Sequence, residues 1–216
     1  MMMNLFSVFD PCTGYMSLNW LSTMMFMVTI NYKMWFIKNN TTWIINKMYL
    51  NMQKEMFNLM PYKGSTLMFM SMFIMILINN IMGLLPYTFT SSSHLVFSMS
   101  LALPMWLTMM SYGWLMKTNK MFKHLVPIGT PSMLMPFMII IETISNLIRP
   151  GSLAVRLSAN MIAGHLLMSL LGSNNSMMMK TILLTMFMML MTFELAVSII
   201  QSYVFMTLMT LYSSEI

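Results

Sequence analysis

Residues 132–171 read SMLMPFMIIIETISNLIRPGSLAVRLSANMIAGHLLMSLL, an apolar run that nevertheless holds Glu142, Arg149, Arg156 and His165. Its length, about 40 residues, would make a helix of roughly 60 Å, nearly twice the thickness of a bilayer's hydrocarbon core. Such a helix must tilt, bend or overhang, and Pro150 followed by Gly151 offers a bend. A second long run, 177–212, follows after only Gly172 to Ser176, so the two are expected to form a tight antiparallel hairpin.

Working outward, three shorter apolar runs precede the hairpin, at 15–32, 66–85 and 95–116. All are longer than the roughly 10 residues of a membrane strand and lack its strict alternation, which excludes a barrel. Between 42 and 60, Ile44, Ile45, Met48, Tyr49, Met52, Met56 and Met60 share one helical face, with Lys47, Asn51, Lys54 and Asn58 opposite. That pattern predicts an amphipathic helix lying along a membrane surface. With 58 % hydrophobic and 7 % charged residues, the chain has too few charges to cover a water-soluble surface. The expected fold is therefore an all-α membrane protein with about five transmembrane helices and one interfacial helix, organised as a single membrane domain over 1–216.

The 37 methionines, abundant Asn and Ile, and only two arginines suit an AT-rich genome that reads ATA as Met, hence an organelle gene. The plain alternative is that Met packs membrane helices well. Asp10 and the absence of Lys before Lys33 do not fit a secretory signal or an Arg-rich transit peptide. Five lysines from Lys33 to Lys63 follow the first run, and Lys117, Lys120 and Lys123 follow the third. Against these eight stands Lys180 alone after the fourth run. The positive-inside bias then predicts 33–63 and 117–130 in the matrix, the amino terminus on the outer face and the carboxyl terminus in the matrix. The net charge of +6 thus serves orientation, since no basic face studded with aromatics suggests nucleic acid. Cys12 is the lone cysteine, which excludes an internal disulfide and a cysteine metal cluster. No phosphate loop, nucleophile elbow or zinc motif is present, so neither cofactor nor metal is expected.

Ionisable groups within a span cost about 2.5–3.5 kcal/mol each, so they mark a polar pathway and need partners. In this sequence they are Glu142, Arg149, Arg156, His165 and Glu194, supported by Asn146, Asn160, Ser198 and Gln201. Arg156 lies too deep to reach water by snorkelling and stays charged at all relevant pH. Two readings fit it: a structural ion pair with Glu142 or Glu194, or a fixed charge that holds a partner carboxylate ionised. At 100° per residue from Glu142, Asn146 falls at about 40°, Arg156 at about −40° and Asn160 at about 0°, a single polar face if the Pro-Gly bend preserves phase. Ala159 and Ala163 beside it allow close approach of another helix, whether static or sliding. His165 is expected to meet the Glu194, Ser198, Gln201 stripe, either as a proton acceptor or as a structural histidine. Arg149 is open between the same polar face and a pair with Glu142 or Glu194. His94 and His124, in connecting segments, are expected to be solvated.

Residues 141–167, together with 194–205 (ELAVSIIQSYVF), closely resemble the signature of the ATP synthase subunit a family. Residues 80–90 (NIMGLLPYTFT) and 4–11 (NLFSVFDP) look like its animal, insect-type mitochondrial form. The resemblance implies a proton-channel subunit of the Fo sector in the mitochondrial inner membrane, not an enzyme by itself. The partners it implies are the c-ring, peripheral-stalk and other Fo subunits, lipid and protons. It also implies that Arg156 faces the ring carboxylates, that His165 and Glu194 line the entry path, that Glu142 belongs to the exit path, and that Asn160 and Gln201 flank the arginine. A redox-driven pump or another transporter is the alternative for such intramembrane charges, but it should show interrupted helix pairs or an inverted repeat, and neither is visible.

Overall fold

A backbone in lipid must satisfy its own hydrogen bonds, and long unbroken helices are what the apolar runs form. The computed structural model describes residues 5–14, 16–24, 27, 40–60, 63–85, 88–126, 129–173 and 180–215. Among them are six α-helices and no strand: α1 (Asn40–Leu59), α2 (Lys63–Gly83), α3 (Leu95–Met116), α4 (Thr118–Leu125), α5 (Met135–Ser173) and α6 (Lys180–Glu215). Short 3₁₀ turns occur at Leu5–Phe9, Leu18–Met24 and Ser91–Ser93. Helices α2, α3, α5 and α6 are long and apolar enough to cross a membrane. Within the span expected at 15–32, residues 15, 25, 26 and 28–32 lie outside the described residues, as do residues 174–179, and Leu18–Met24 is 3₁₀ rather than α.

Helix α5 is 39 residues and α6 is 36, and α5 runs unbroken through Pro150, so the expected bend is not a break. α6 packs along α2 and α5, while α3 packs along α5. The core between them is mostly Met and Phe with small residues on α3 and α5: Met70, Phe73, Ile76, Ala102, Ala154, Leu157, Phe205 and Met206 are all buried. Unbranched methionine fills such irregular gaps at little rotamer strain. The outward faces carry Leu115, Met189 and Phe193, all more than two-thirds exposed, as side chains solvated by lipid should be. Hydroxyls within the spans turn back on their own helix; Ser198 and Ser202 donate to Leu195 O and Ile199 O, both at 2.7 Å.

α1 is the amphipathic helix expected at 42–60. Its carboxyl half buries Met56, with Met60 just beyond it, and half-buries Tyr49 and Met52 against the bundle. Ile44, Ile45 and Met48, in its amino half, remain exposed.

Candidate functional site

The ionisable side chains of α5 and α6 separate into two groups with Arg156 between them. In the first, Arg149 reaches across to the last turn of α6, where its Nη1 donates to Glu215 Oε2 at 2.5 Å. Its Nη2 lies 3.8 Å from Glu142 Oε1, two helical turns earlier on α5, and its guanidinium stacks 4.8 Å from the centre of the Tyr212 ring. Asn146 and His124 line the same small crevice. Arg149 therefore takes the pairing alternative, with Glu142 as one partner and Glu215 as the other. Sequence reading missed Glu215, because the contact joins the interior of α5 to the carboxyl end of α6, 66 residues further on.

The second group lies toward the 174–179 end. The stripe Glu194, Ser198, Gln201 does face inward, and all three are buried. Glu194 sits against the backbone of Gly164: a Cβ added to Gly164 would come 2.7 Å from the Glu194 carboxyl. Glycine is what lets that carboxylate enter. Neither carboxylate oxygen has a hydrogen-bond partner among the described residues, and the same holds for His165 Nε2. His165 is half-buried with its ring edge-on to Phe9 at 6.3 Å. The expected His165–Glu194 meeting is thus one of adjacency through Gly164 and not a hydrogen bond. Glu194, Gly164, Asn160 and Ala163 line an open groove of about 720 Å³ between α5 and α6.

Between the groups, Asn160 Nδ2 donates to Gln201 Oε1 at 3.0 Å, tying α5 to α6 one turn from Arg156. Arg156 itself is exposed, as are Ala159, Asn160 and Ala163. The ion pair with Glu142 or Glu194 is not formed: among the described residues the two ion pairs of α5 both belong to Arg149. Counting along α5, Arg156 stands about 10 Å from Arg149 and about 12 Å from Gly164.

His124 is exposed, as expected of a connecting segment. His94 is not solvated as expected: it is half-buried, with ring centres of Trp20 and Phe89 each 5.3 Å away and Nε2 unpartnered.

Four helices long and apolar enough to cross a membrane, with ionisable side chains on the last two, define a multi-spanning all-α membrane protein. The family model described as ATP synthase A chain matches residues 13–214. ATP synthase subunit a of the mosquito Aedes albopictus and of the fly Drosophila simulans are each 54 % identical to this sequence, and that of the locust Locusta migratoria is 52 % identical. In each case the alignment covers 100 % of both chains. The chain belongs to the ATP synthase subunit a family. Membership makes it a non-catalytic membrane subunit concerned with ion transport for ATP synthesis.

Proposed function

We propose that this chain is the proton-conducting stator subunit of the Fo sector in the mitochondrial inner membrane, offering two offset half-channels to a rotating ring of carboxylates. The observation that carries the reading is Arg156, a permanent cation on an exposed face of α5 with no carboxylate of its own among the described residues. A desolvated guanidinium needs an anion, and an open face edged by Ala159 and Ala163 lets one arrive on another helix.

Protons enter from the intermembrane space by way of His165 and Glu194 and neutralise a ring carboxylate. An ionised carboxylate in lipid is expensive, at about 2.5–3.5 kcal/mol, so only the neutral acid leaves Arg156 and turns with the ring. After almost a full turn the carboxyl group meets the path that contains Glu142 and loses its proton to the matrix. The positive charge of Arg156 favours the ionised carboxylate beside it and repels a proton that would cross directly between the paths. Asn160, held by Gln201, flanks the passing carboxylate with a polar group that carries no charge. The amino terminus lies toward the intermembrane space and the carboxyl terminus toward the matrix, in keeping with Lys117, Lys120 and Lys123 beside the Arg149 group.

The test is proximity. In the assembled complex with Cys12 replaced by Ser, Ala159→Cys should form a disulfide with a cysteine placed beside the ring carboxylate, and turnover before oxidation should not confine the link to one ring subunit. A cysteine at Ala159 that never links to the ring, in a complex that otherwise assembles, overturns the reading.

A further inference from the structure

Along the seam between α2 and α3, at the end of the bundle that carries Lys117, the helices leave a cleft of about 290 Å³. α3 lines it with Met105, Thr108, Met109 and Tyr112, which share one helical face at i, i+3, i+4 and i+7. α2 contributes Ser65, Met68 and Phe69 at the same spacing, and Met60 and Ser213 close the end. The floor is buried, with Met60, Phe69 and Met105 at 9 %, 6 % and 6 % exposure. On the rim, Met68 and Tyr112 are each 52 % exposed, so the cleft opens outward from the bundle. From Met105 to Lys117 it follows about 18 Å of helix rise.

The chemistry of the cleft differs along its length. Two of its hydroxyls turn back on their own helices: Thr108 Oγ1 donates to Met105 O at 2.8 Å and Ser213 Oγ to Thr210 O at 2.7 Å. The slot between them is lined mainly by Met and Phe, and an apolar cavity stays dry and takes up apolar molecules. One end is cationic. Lys117 is half-buried there, its Nζ 5.8 Å from the centre of the Tyr112 ring. Among the described residues both ion pairs belong to Arg149, and the chain holds no Asp or Glu from Met56 to Ile141. Glu215, two residues past Ser213, is held by Arg149 at 2.5 Å. Lys120 and Lys123, both exposed on α4, add two charges within about 9 Å of helix rise.

We propose that this cleft is a site for one anionic phospholipid, with an acyl chain laid along α2 and α3 and the phosphate at Lys117. A narrow apolar slot that ends in an unpaired cation is complementary to that molecule, and basic pockets between membrane helices bind anionic head groups. Tyr112 suits the boundary, since rings with one polar tip favour the head-group level. A partner helix does not enter: a single turn, about 10 Å across and 5.4 Å long, displaces more than the cleft holds. Lys120 and Lys123 favour a head group with net negative charge over a zwitterionic one, by about fivefold for each lysine that it meets. The lipid fastens the ends of α2, α3 and α6 together. The site is separate from Arg156 and does not depend on the proton-path reading above.

The test uses the assembled complex in phosphatidylcholine vesicles that contain a trace of either phosphatidylglycerol or phosphatidylcholine carrying a diazirine midway along one acyl chain. After illumination, mass spectrometry locates the modified residues of this chain. Phosphatidylglycerol should label the cleft at Met68, Met105 and Thr108 about fivefold or more above phosphatidylcholine. Both should label Leu107 equally, because it is exposed on the opposite face of α3. Lys117→Gln should lose the preference for the anionic lipid, and Thr108→Phe, which fills the slot, should lose cleft labelling while Leu107 stays labelled. Lys117→Gln, at a helix end, carries the test alone should Thr108→Phe fail to assemble. Equal labelling of the cleft by the two lipids shows bulk lipid only and overturns the site, and so does a preference that survives Lys117→Gln. A cleft that neither lipid labels while Leu107 is labelled overturns it too, as when side chains of a partner subunit cover the slot.

Discussion

Gly164 and Glu194 show how one missing methyl group can seat a carboxylate against a neighbouring helix. The carboxyl group occupies the place where a side chain on residue 164 would stand. Because the clashing atoms are the far end of a flexible side chain, Gly164→Ala should swing Glu194 aside rather than unfold the helix pair. The expected outcome is an assembled complex whose driven ATP synthesis falls severely, with partial recovery in Gly164→Ala/Glu194→Asp, where the carboxylate is one methylene shorter. Wild-type synthesis in Gly164→Ala would show that the seat does not matter. None of this was legible in the sequence, where Gly164 is one small residue beside a histidine; the partner that makes it necessary lies 30 residues further on, on another helix. Arg156 was legible, because its depth alone rules out snorkelling. Its freedom from Glu142 and Glu194 was not, since spacing permits a pair that three-dimensional reach does not deliver.

Helices α5 and α6 are joined by polar contacts on both sides of the exposed arginine. Replacing Gln201 by Leu removes the acceptor for Asn160 Nδ2. A single hydrogen bond of this kind contributes about 1 kcal/mol, so the thermal stability of the complex should barely change while synthesis drops. A large loss of stability with unchanged turnover would make the bond merely structural. At the other end, Glu215→Gln leaves Arg149 with Glu142 at 3.8 Å. Both partners of the lost bridge are partly exposed, so the cost is about 0–1 kcal/mol, read as faster hydrogen exchange over the last turn of α6 rather than as unfolding. The elements themselves could be read from hydropathy: α3 begins and ends at the expected residues 95 and 116. Errors arose where backbone hydrogen bonding continues through polar residues that hydropathy excludes. Thus α2 starts at Lys63 instead of 66, and α6 extends past Tyr212 to Glu215, which is how the Arg149 partner was lost from view.

At the scale of the whole molecule, the arrangement is a polar seam within a lipid-facing bundle, in which no carboxylate among the described residues pairs with Arg156. Lysine bias predicts which end faces which compartment. A membrane-impermeant amine reagent should therefore modify Lys117, Lys120 and Lys123 in inside-out vesicles and spare them in intact mitochondria stripped of the outer membrane; the reverse pattern would invert the two half-channels. The class could be read from the sequence because lipid imposes length and composition rules on every span. The burial of Asn79, Asn80 and Ser92 could not, because it arises only when the helices pack together. The measurement that bears most directly on the central claim is ATP synthesis driven by an imposed proton gradient in assembled complexes carrying Arg156→Gln. Arg156 as the fixed charge for a passing carboxylate predicts a normally assembled complex with synthesis lost; synthesis at the wild-type rate would contradict it.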